Sequence, residues 1–329
     1  MRFSLGSRRT GSIYKFLGIF ACLFLLLLSF RKYGPTLESR PQAPTATITD
    51  SAYVFYATQD NYACSVLVNV HLLKTVHHSN HRIIVLLSKD VSSKYHSTLK
   101  ALGVEIVREQ PMPLSSNSND FYRGCLLKLA AFRMHEIDPS LRRVLVLDAD
   151  QLILRSLDHL FDLPPADLYA PRAYWIDQSF LSSTLMLIQP TAKLWTEIQQ
   201  TVATLPSHQY DMDIVNALFG DDATRLPGSY VTLNNHWEDW TLPPWFESKA
   251  IAAPSPSPGP SQPASEKDLE DLYIQTYIVH FTAMGKPWKH DVWSVNEFKP
   301  NAHYIMLRQW QEWRATAMTV CPSGFIDNV

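Results

Sequence analysis

From residue 51 onward the chain alternates short apolar runs with stretches whose apolar residues recur at helical spacing. AYVFYAT at 52–58 is a β-rich run, and from Tyr62 the positions Val66, Val70 and Leu73 keep one helical face. RIIVLLS at 82–88 predicts a buried strand. Val91, Tyr95, Leu99 and Leu102 then mark a helix that ends at Gly103. VEIV at 104–107 and RRVLVLDAD at 142–150 read as further strands, with a helix over 122–137 between them. TLMLI at 184–188, a helix over 192–202 and the strand-like YIQTYIVHF at 273–281 complete the body. Unbroken apolar strands separated by helices of about 10–15 residues predict a parallel α/β sheet. Ligands of such sheets bind beyond the carboxyl ends of the strands.

Two segments stand outside this alternation. Residues 16–30, FLGIFACLFLLLLSF, hold no charge; Arg2, Arg8, Arg9 and Lys15 precede them, and Arg31 and Lys32 follow. As a helix the run rises about 22 Å against a roughly 30 Å hydrocarbon core, and Ile13, Tyr14 and a snorkelling Lys15 lengthen it. A cleaved signal peptide is the rival reading, but Arg31 and Lys32 stand where a small-residue cleavage site belongs. The pattern predicts an uncleaved membrane anchor with a cytosolic tail at 1–15, a span at 16–30, a Pro- and Thr-rich luminal stalk at 31–50 and one folded domain at 51–329. This is the layout of a single-pass type II protein of the Golgi membrane (or the endoplasmic reticulum). AAPSPSPGPSQPA at 252–264 carries five Pro in thirteen residues and predicts a disordered insertion at about 250–267.

Composition narrows the classes. Of 329 residues, 46% are apolar, which excludes a wholly disordered chain, and 29 basic against 31 acidic residues exclude electrostatic binding of nucleic acid. Cys64, Cys125 and Cys321 fall in the expected luminal part without metal-type spacing, so one disulfide is open to them and its pairing is not readable.

The sharpest chemical signal is Asp148-Ala149-Asp150. In a strand, residues i and i+2 share a face, so two carboxylates emerge together at the end of VLVL. Hard divalent cations take such oxygen ligands and keep positions open for phosphate. A second D-x-D, Asp211-Met212-Asp213, shows how little the triplet says without its strand. His280 ends an apolar run, six residues before Lys286, which suits one metal ligand and one phosphate-binding cation. Trp237, Trp240 and Trp245 crowd into HWEDWTLPPWF, as sugar-stacking rings or as a packed lid. A strand ending in D-x-D also opens the haloacid-dehalogenase phosphatases, with Asp148 as nucleophile, although there it stands on the first strand.

VLVLDADQLIL together with VHFTAMGKPW resembles the glycogenin-like retaining glycosyltransferases, family 8. YVFYATQDNY at 53–62 is similar to that family's uridine-binding opening, LLKLAAF around Lys128 to its donor-contacting lysine helix, SSTLMLIQP at 182–190 to its N-S-G-x-x-x-x-Q-P segment, and YDMDIVN at 210–216 to its D-Q-x-x-x-N segment. The resemblance implies a GT-A (Rossmann-like) nucleotide-sugar transferase fold, a UDP-sugar donor, Mn²⁺ (or Mg²⁺) as cofactor, and transfer of glucose or N-acetylglucosamine to a glycan or other acceptor. It implies Asp148, Asp150 and His280 as metal ligands. Tyr56, Thr58, Gln59 and Tyr62 would line the uridine pocket, Lys128 would contact the donor, Ser183 the sugar side and Lys286 the diphosphate. Asp211 falls where the family has an acid near the anomeric carbon, as nucleophile or as stabiliser of an oxocarbenium-like centre; an ordinary helix N-cap is the plain alternative. Ser182, Thr184, Met212 and Ala283 replace the family's Asn, Gly, Gln and Gly, so the sugar itself is not inherited. A luminal protein that keeps the fold and binds UDP-sugar without turnover is the competing reading.

Overall fold

The computed structural model describes residues 50–114, 119, 122, 124–177, 179–220, 222–246 and 264–328. The description concerns the compact unit Thr49–Val329. The expected anchor, the stalk up to residue 49 and residues 250–263 of the expected insertion lie outside the described residues. Among the described residues no helix is long and apolar enough to cross a membrane.

The first half builds β1 (Ser51–Ala57), α1 (Asp60–His71), β2 (Arg82–Leu87), α2 (Ser93–Ala101) and β3 (Glu105–Arg108). Gly103, at φ +69°, takes the left-handed turn that ends α2 and starts β3. A 3₁₀ helix (Cys125–Arg133) runs into the short α3 (Met134–Ile137), and β4 (Arg143–Leu147) follows. The expected helix over 122–137 is thus mostly 3₁₀, and all residues from Leu126 to Phe132 are buried. After β4 come β5 (Gln151–Ile153), β6 (Leu168–Pro171), β7 (Leu185–Ile188), α4 (Ala192–Ala203), α5 (Asp211–Phe219), β8 (Thr224–Leu226), β9 (Thr232–Leu233) and α6 (Asn235–Asp239). The chain closes with α7 (Glu266–Gln275), β10 (Ile278–His280), α8 (Val292–Phe298) and α9 (Tyr304–Val320). Residues 273–275, expected as strand, finish α7: Leu269 and Leu272 bury its inner face, and the Thr276 N–H bonds back to the Leu272 carbonyl.

The strands form a seven-stranded sheet in the order β3-β2-β1-β4-β7-β6-β8 and a small sheet β5-β10-β9. β3, β2, β1 and β4 are parallel, as the apolar runs predict; β7 enters antiparallel between β4 and β6. Both faces of the large sheet are covered. Tyr53, Phe55 and Ala57 of β1 join one core, with α1, α9 and the small sheet, while Ala52 and Val54 join the other, with the 3₁₀ helix, α4 and α5. Covering both faces is why β1, β2 and β4 read as unbroken apolar runs rather than as alternation. The chain winds from β1 out through β2 to β3 and returns to β4 on the other side of β1. The strand order therefore reverses between β1 and β4, and there the adjacent crossovers diverge and leave a crevice.

Candidate active site

At this switch point β4 pairs with β1 only as far as Phe55↔Leu147, and with β7 as far as Leu147↔Leu185. Asp148, Ala149 and Asp150 lie beyond the strand end, so the same-face argument applies to a turn rather than to a strand. The turn still brings the acids together: ligand atoms of Asp148, Asp150 and His280 all lie within 4.8 Å of one another. His280 arrives from the small sheet, where it pairs with Gln151 across β5 and β10.

Three further elements add charge. Lys128, on the buried 3₁₀ helix, is 3% exposed and places Nζ 2.7 Å from Asp148 Oδ1 and 2.7 Å from Asp211 Oδ2. It also donates to Ser183 Oγ at 3.2 Å, and Ser183 Oγ donates to Asp211 Oδ2 at 2.6 Å. Tyr56, at the end of β1, donates to Asp148 Oδ1 at 2.7 Å. Lys286 Nζ stands 2.6 Å from Asp150 Oδ2 and donates to the Phe281 carbonyl at 2.6 Å.

The electrostatics follow from burial and these pairs. Burial pushes the Asp148 carboxyl up to about 6, with Lys128 opposing and Asp150 and Asp211 adding to the rise. For Asp150 burial also acts upward and most strongly, but Lys286, His280 and Lys128 together outweigh it and bring the group to about 2. Asp211 is likewise held below its ordinary value, because Lys128 and Ser183 outweigh burial. Burial alone would lower Lys128, and its two carboxylate partners hold it protonated instead. His280 is lowered to about 4, first by burial, so its imidazole is neutral at pH 7.

The donor set fits a divalent cation. His280 Nδ1 is buried without a hydrogen-bond partner, 3.8 Å from Asp150 Oδ1, and a neutral imidazole with a free lone pair beside two carboxylates can ligate a metal.

The structure brings Asp148, Asp150, His280, Lys286, Lys128, Asp211, Ser183 and Tyr56 into one connected cluster. Tyr62 joins its border: burial raises its hydroxyl to about 12, with Asp150 and Asp148 adding to the rise, and its ring meets Trp288 edge-on at 5.2 Å. Thr58 and Gln59 lie on the turn from β1 into α1, Thr58 half-buried and Gln59 exposed, and neither bonds to the cluster's side chains. Thr58 packs against Gly124, where an added Cβ would come within 2.9 Å of Thr58 Cγ2. Asp211 is the first residue of α5 rather than its cap; Tyr210 holds that position, and Asp213 accepts the Tyr210 N–H at 2.8 Å. The second D-x-D is thereby divided between the cluster and a helix cap.

Of the three tryptophans, Trp237 is fully buried and donates to the Leu269 carbonyl, Trp240 donates to the Asn301 carbonyl, and Trp245 packs on Gly228. These rings pack the domain. Cys64 and Cys321 form a disulfide between α1 and the end of α9, and Cys125 is free.

Sequence reasoning missed the groups that hold the site's backbone. Asn234 is fully buried, and its Oδ1 accepts the N–H groups of Thr282 and Ala283 at 2.7 and 2.8 Å, fixing the loop between His280 and Lys286. Ser65 and Asn69 lie in a wholly buried stretch of α1. A polar pair four residues apart within an apolar run was the available signal.

No protein-family model matches the chain. Among curated proteins it is 30% identical over 261 residues to a "Glucose N-acetyltransferase 1" of Gibberella zeae, covering 73% of this chain and 54% of that relative. It is 26% identical over 242 residues to the protein of the same name in Aspergillus fumigatus, covering 63% and 60%. It is 24% identical over 250 residues to human glycogenin-1, covering 74% and 63%. The chain thus spans little more than half the length of the fungal relatives. Among solved structures, the bifunctional glycosyltransferase WbbM matches with TM-score 0.56 at 13% identity, over 83% of this chain and 51% of that one. An active-site mutant of LgtC matches with TM-score 0.52 at 18% identity, over 80% and 95%. These neighbours share the GT-A fold.

Proposed function

The chain belongs to the glycogenin-like glycosyltransferases, family 8, and from that premise we propose that it is a retaining, metal-dependent transferase. It moves a hexosyl group, glucose or N-acetylglucosamine, from a UDP-sugar to a glycan or other acceptor. The observation that carries this reading is the convergence of Asp148, Asp150 and an unpartnered, neutral His280 beside Lys286.

Asp148, Asp150 and His280 would hold Mn²⁺ or Mg²⁺, which supplies Lewis-acid stabilisation of the charge developing on the leaving diphosphate. Lys286 adds a second positive charge on that group. Tyr62, with Thr58 and Gln59 on the adjoining turn, forms the uridine side. Asp211 stays ionised beside Lys128 and offers a carboxylate to the anomeric centre, while Ser183 fixes its direction. Same-face outcome then follows either from a glycosyl-enzyme on Asp211 or from its charge stabilising an oxocarbenium-like centre during front-side attack.

The proposed setting is the lumen of the Golgi or endoplasmic reticulum, with residues 16–30 as anchor. The basic flanks of that run and the Cys64–Cys321 disulfide support it, since disulfides persist in oxidising compartments.

Proton NMR of UDP-glucose or UDP-N-acetylglucosamine hydrolysis by the full-length chain in detergent tests the retaining outcome. Early release of the α-anomer is expected. Early release of the β-anomer contradicts it.

A further inference from the structure

Between β4 and β5 the chain leaves the large sheet and enters the small one, so residues 148–150 belong to neither ladder. Ala149 is 2% exposed, and its carbonyl cannot turn to water. α1 supplies what a neighbouring strand would have supplied. Ser65 Oγ donates to the Ala149 carbonyl at 2.6 Å, and Asn69 Nδ2 donates to it at 3.2 Å. The same amide donates to the Gln151 carbonyl at 2.9 Å and to the Ser65 carbonyl at 3.1 Å, while Asn69 Oδ1 accepts the Ile153 N–H at 3.2 Å. Ser65 Oγ in turn accepts from Trp313 Nε1 of α9 at 3.0 Å. Ser65 and Asn69 are both fully buried, so no solvent competes for these bonds.

We infer that Ser65 and Asn69 are positioning residues for the metal carboxylates, and that Trp313 extends this support to the C-terminal helix. The inference rests on the reading that Asp148, Asp150 and His280 hold a divalent cation. The reason is local. The carbonyl that Ser65 and Asn69 grip belongs to the peptide joining Ala149 to Asp150, so a rotation of that peptide redirects the Asp150 carboxylate directly and shifts Asp148 through the shared Ala149 backbone. Asn69 donates to two carbonyls and accepts one N–H of residues 149–153, at every second residue, as a paired strand would. The disulfide from Cys64, next to Ser65, to Cys321 keeps α1 and α9 in register for the Trp313 bond.

Mn²⁺ titration of the full-length protein, read by the electron paramagnetic resonance signal of free Mn²⁺, tests this. Ser65→Ala is the primary variant, because it removes one hydroxyl and alanine favours a helix. Its Mn²⁺ dissociation constant is expected to rise about tenfold, the usual scale for loss of an outer-sphere partner. The apparent KM for Mn²⁺ should rise alongside it, with kcat at saturating Mn²⁺ largely kept. A purely structural role would lower kcat with the folded fraction and leave the metal KM in place. Should Ser65→Ala fail to melt cooperatively, Trp313→Phe, which keeps an aromatic ring and removes the N–H, must shift Mn²⁺ affinity in the same direction. Wild-type affinity in the folded variant, with binding lost in Asp150→Ala, overturns the positioning role and leaves the metal site standing. Mn²⁺ binding that Asp150→Ala does not weaken overturns both.

Discussion

Lys128 and Asp211 face each other at 2.7 Å inside the protein, 3% and 9% exposed, although 83 residues of sequence separate them. Lys128 also neutralises Asp148, so one ammonium bridges two carboxylates of the cluster. Its removal leaves two carboxylates without their cation in a buried site. Lys128→Met, which keeps the length and loses the charge, should lower stability by about 3–5 kcal/mol, the cost of breaking a buried pair from one side. Urea unfolding at pH 7 measures this. A change within about 0.5 kcal/mol, the size of an ordinary surface substitution, would show that the pair does not contribute as described.

His236 gives the fold a dependence on acid away from the cluster. It is 7% exposed, accepts or donates at Tyr174 Oη (2.9 Å) and Thr241 Oγ1 (3.0 Å), and burial brings its imidazole down to about 4. The unfolded chain binds that proton near pH 6.5, the folded one only near 4. The stabilisation is therefore fully present above about 6.5 and is lost as pH falls through 4, with a magnitude of about 3 kcal/mol. Melting curves of wild type and His236→Gln between pH 7 and 4 should converge as the pH falls. A gap that stays constant contradicts the assignment.

The link between Cys64 and Cys321 spans 257 residues of sequence and ties α1 to the end of α9. Non-reducing peptide mapping should return these two cysteines as one pair, with Cys125 as a thiol. Cys321→Ser should cost about 2–5 kcal/mol, seen as a lower melting temperature that dithiothreitol no longer shifts. An unchanged melting temperature would show that α9 is held by its packing alone.

What the sequence discloses follows from how local each cause is. β1, β2 and β4 are legible because a strand covered on both faces must be apolar throughout, and 52–57, 83–87 and 144–147 meet that condition. Asp148, Asp150, His280 and Lys286 stand out because charge directly after an apolar run has few structural reasons to be there. Lys128 is less plain: its six apolar neighbours from Leu126 to Phe132 suit an interior lysine, yet a helix-surface position explains the letters equally well. The 3₁₀ winding of that segment and the end of α7 inside YIQTYIVHF follow from tertiary packing and capping, which short apolar windows do not carry. The partners of Ser65, Asn69, Trp313 and Asn234 were illegible for a different reason, even though the spacing of Ser65 and Asn69 marks them as a buried polar pair. Their bonds cross 84, 84, 248 and 48 residues of sequence to backbone or side-chain atoms that no local pattern names.

The central claim is that the cluster around Asp148 and Asp150 turns over a UDP-sugar with a divalent cation. Release of UDP from a panel of UDP-sugars by the full-length protein, with Mn²⁺ and with chelator, beside Asp150→Ala, measures it most directly. Release from at least one donor is expected that requires Mn²⁺ and disappears in Asp150→Ala while the variant still melts cooperatively. Binding of Mn²⁺ and UDP by the wild type without release from any donor, or release that Asp150→Ala leaves intact, would contradict it.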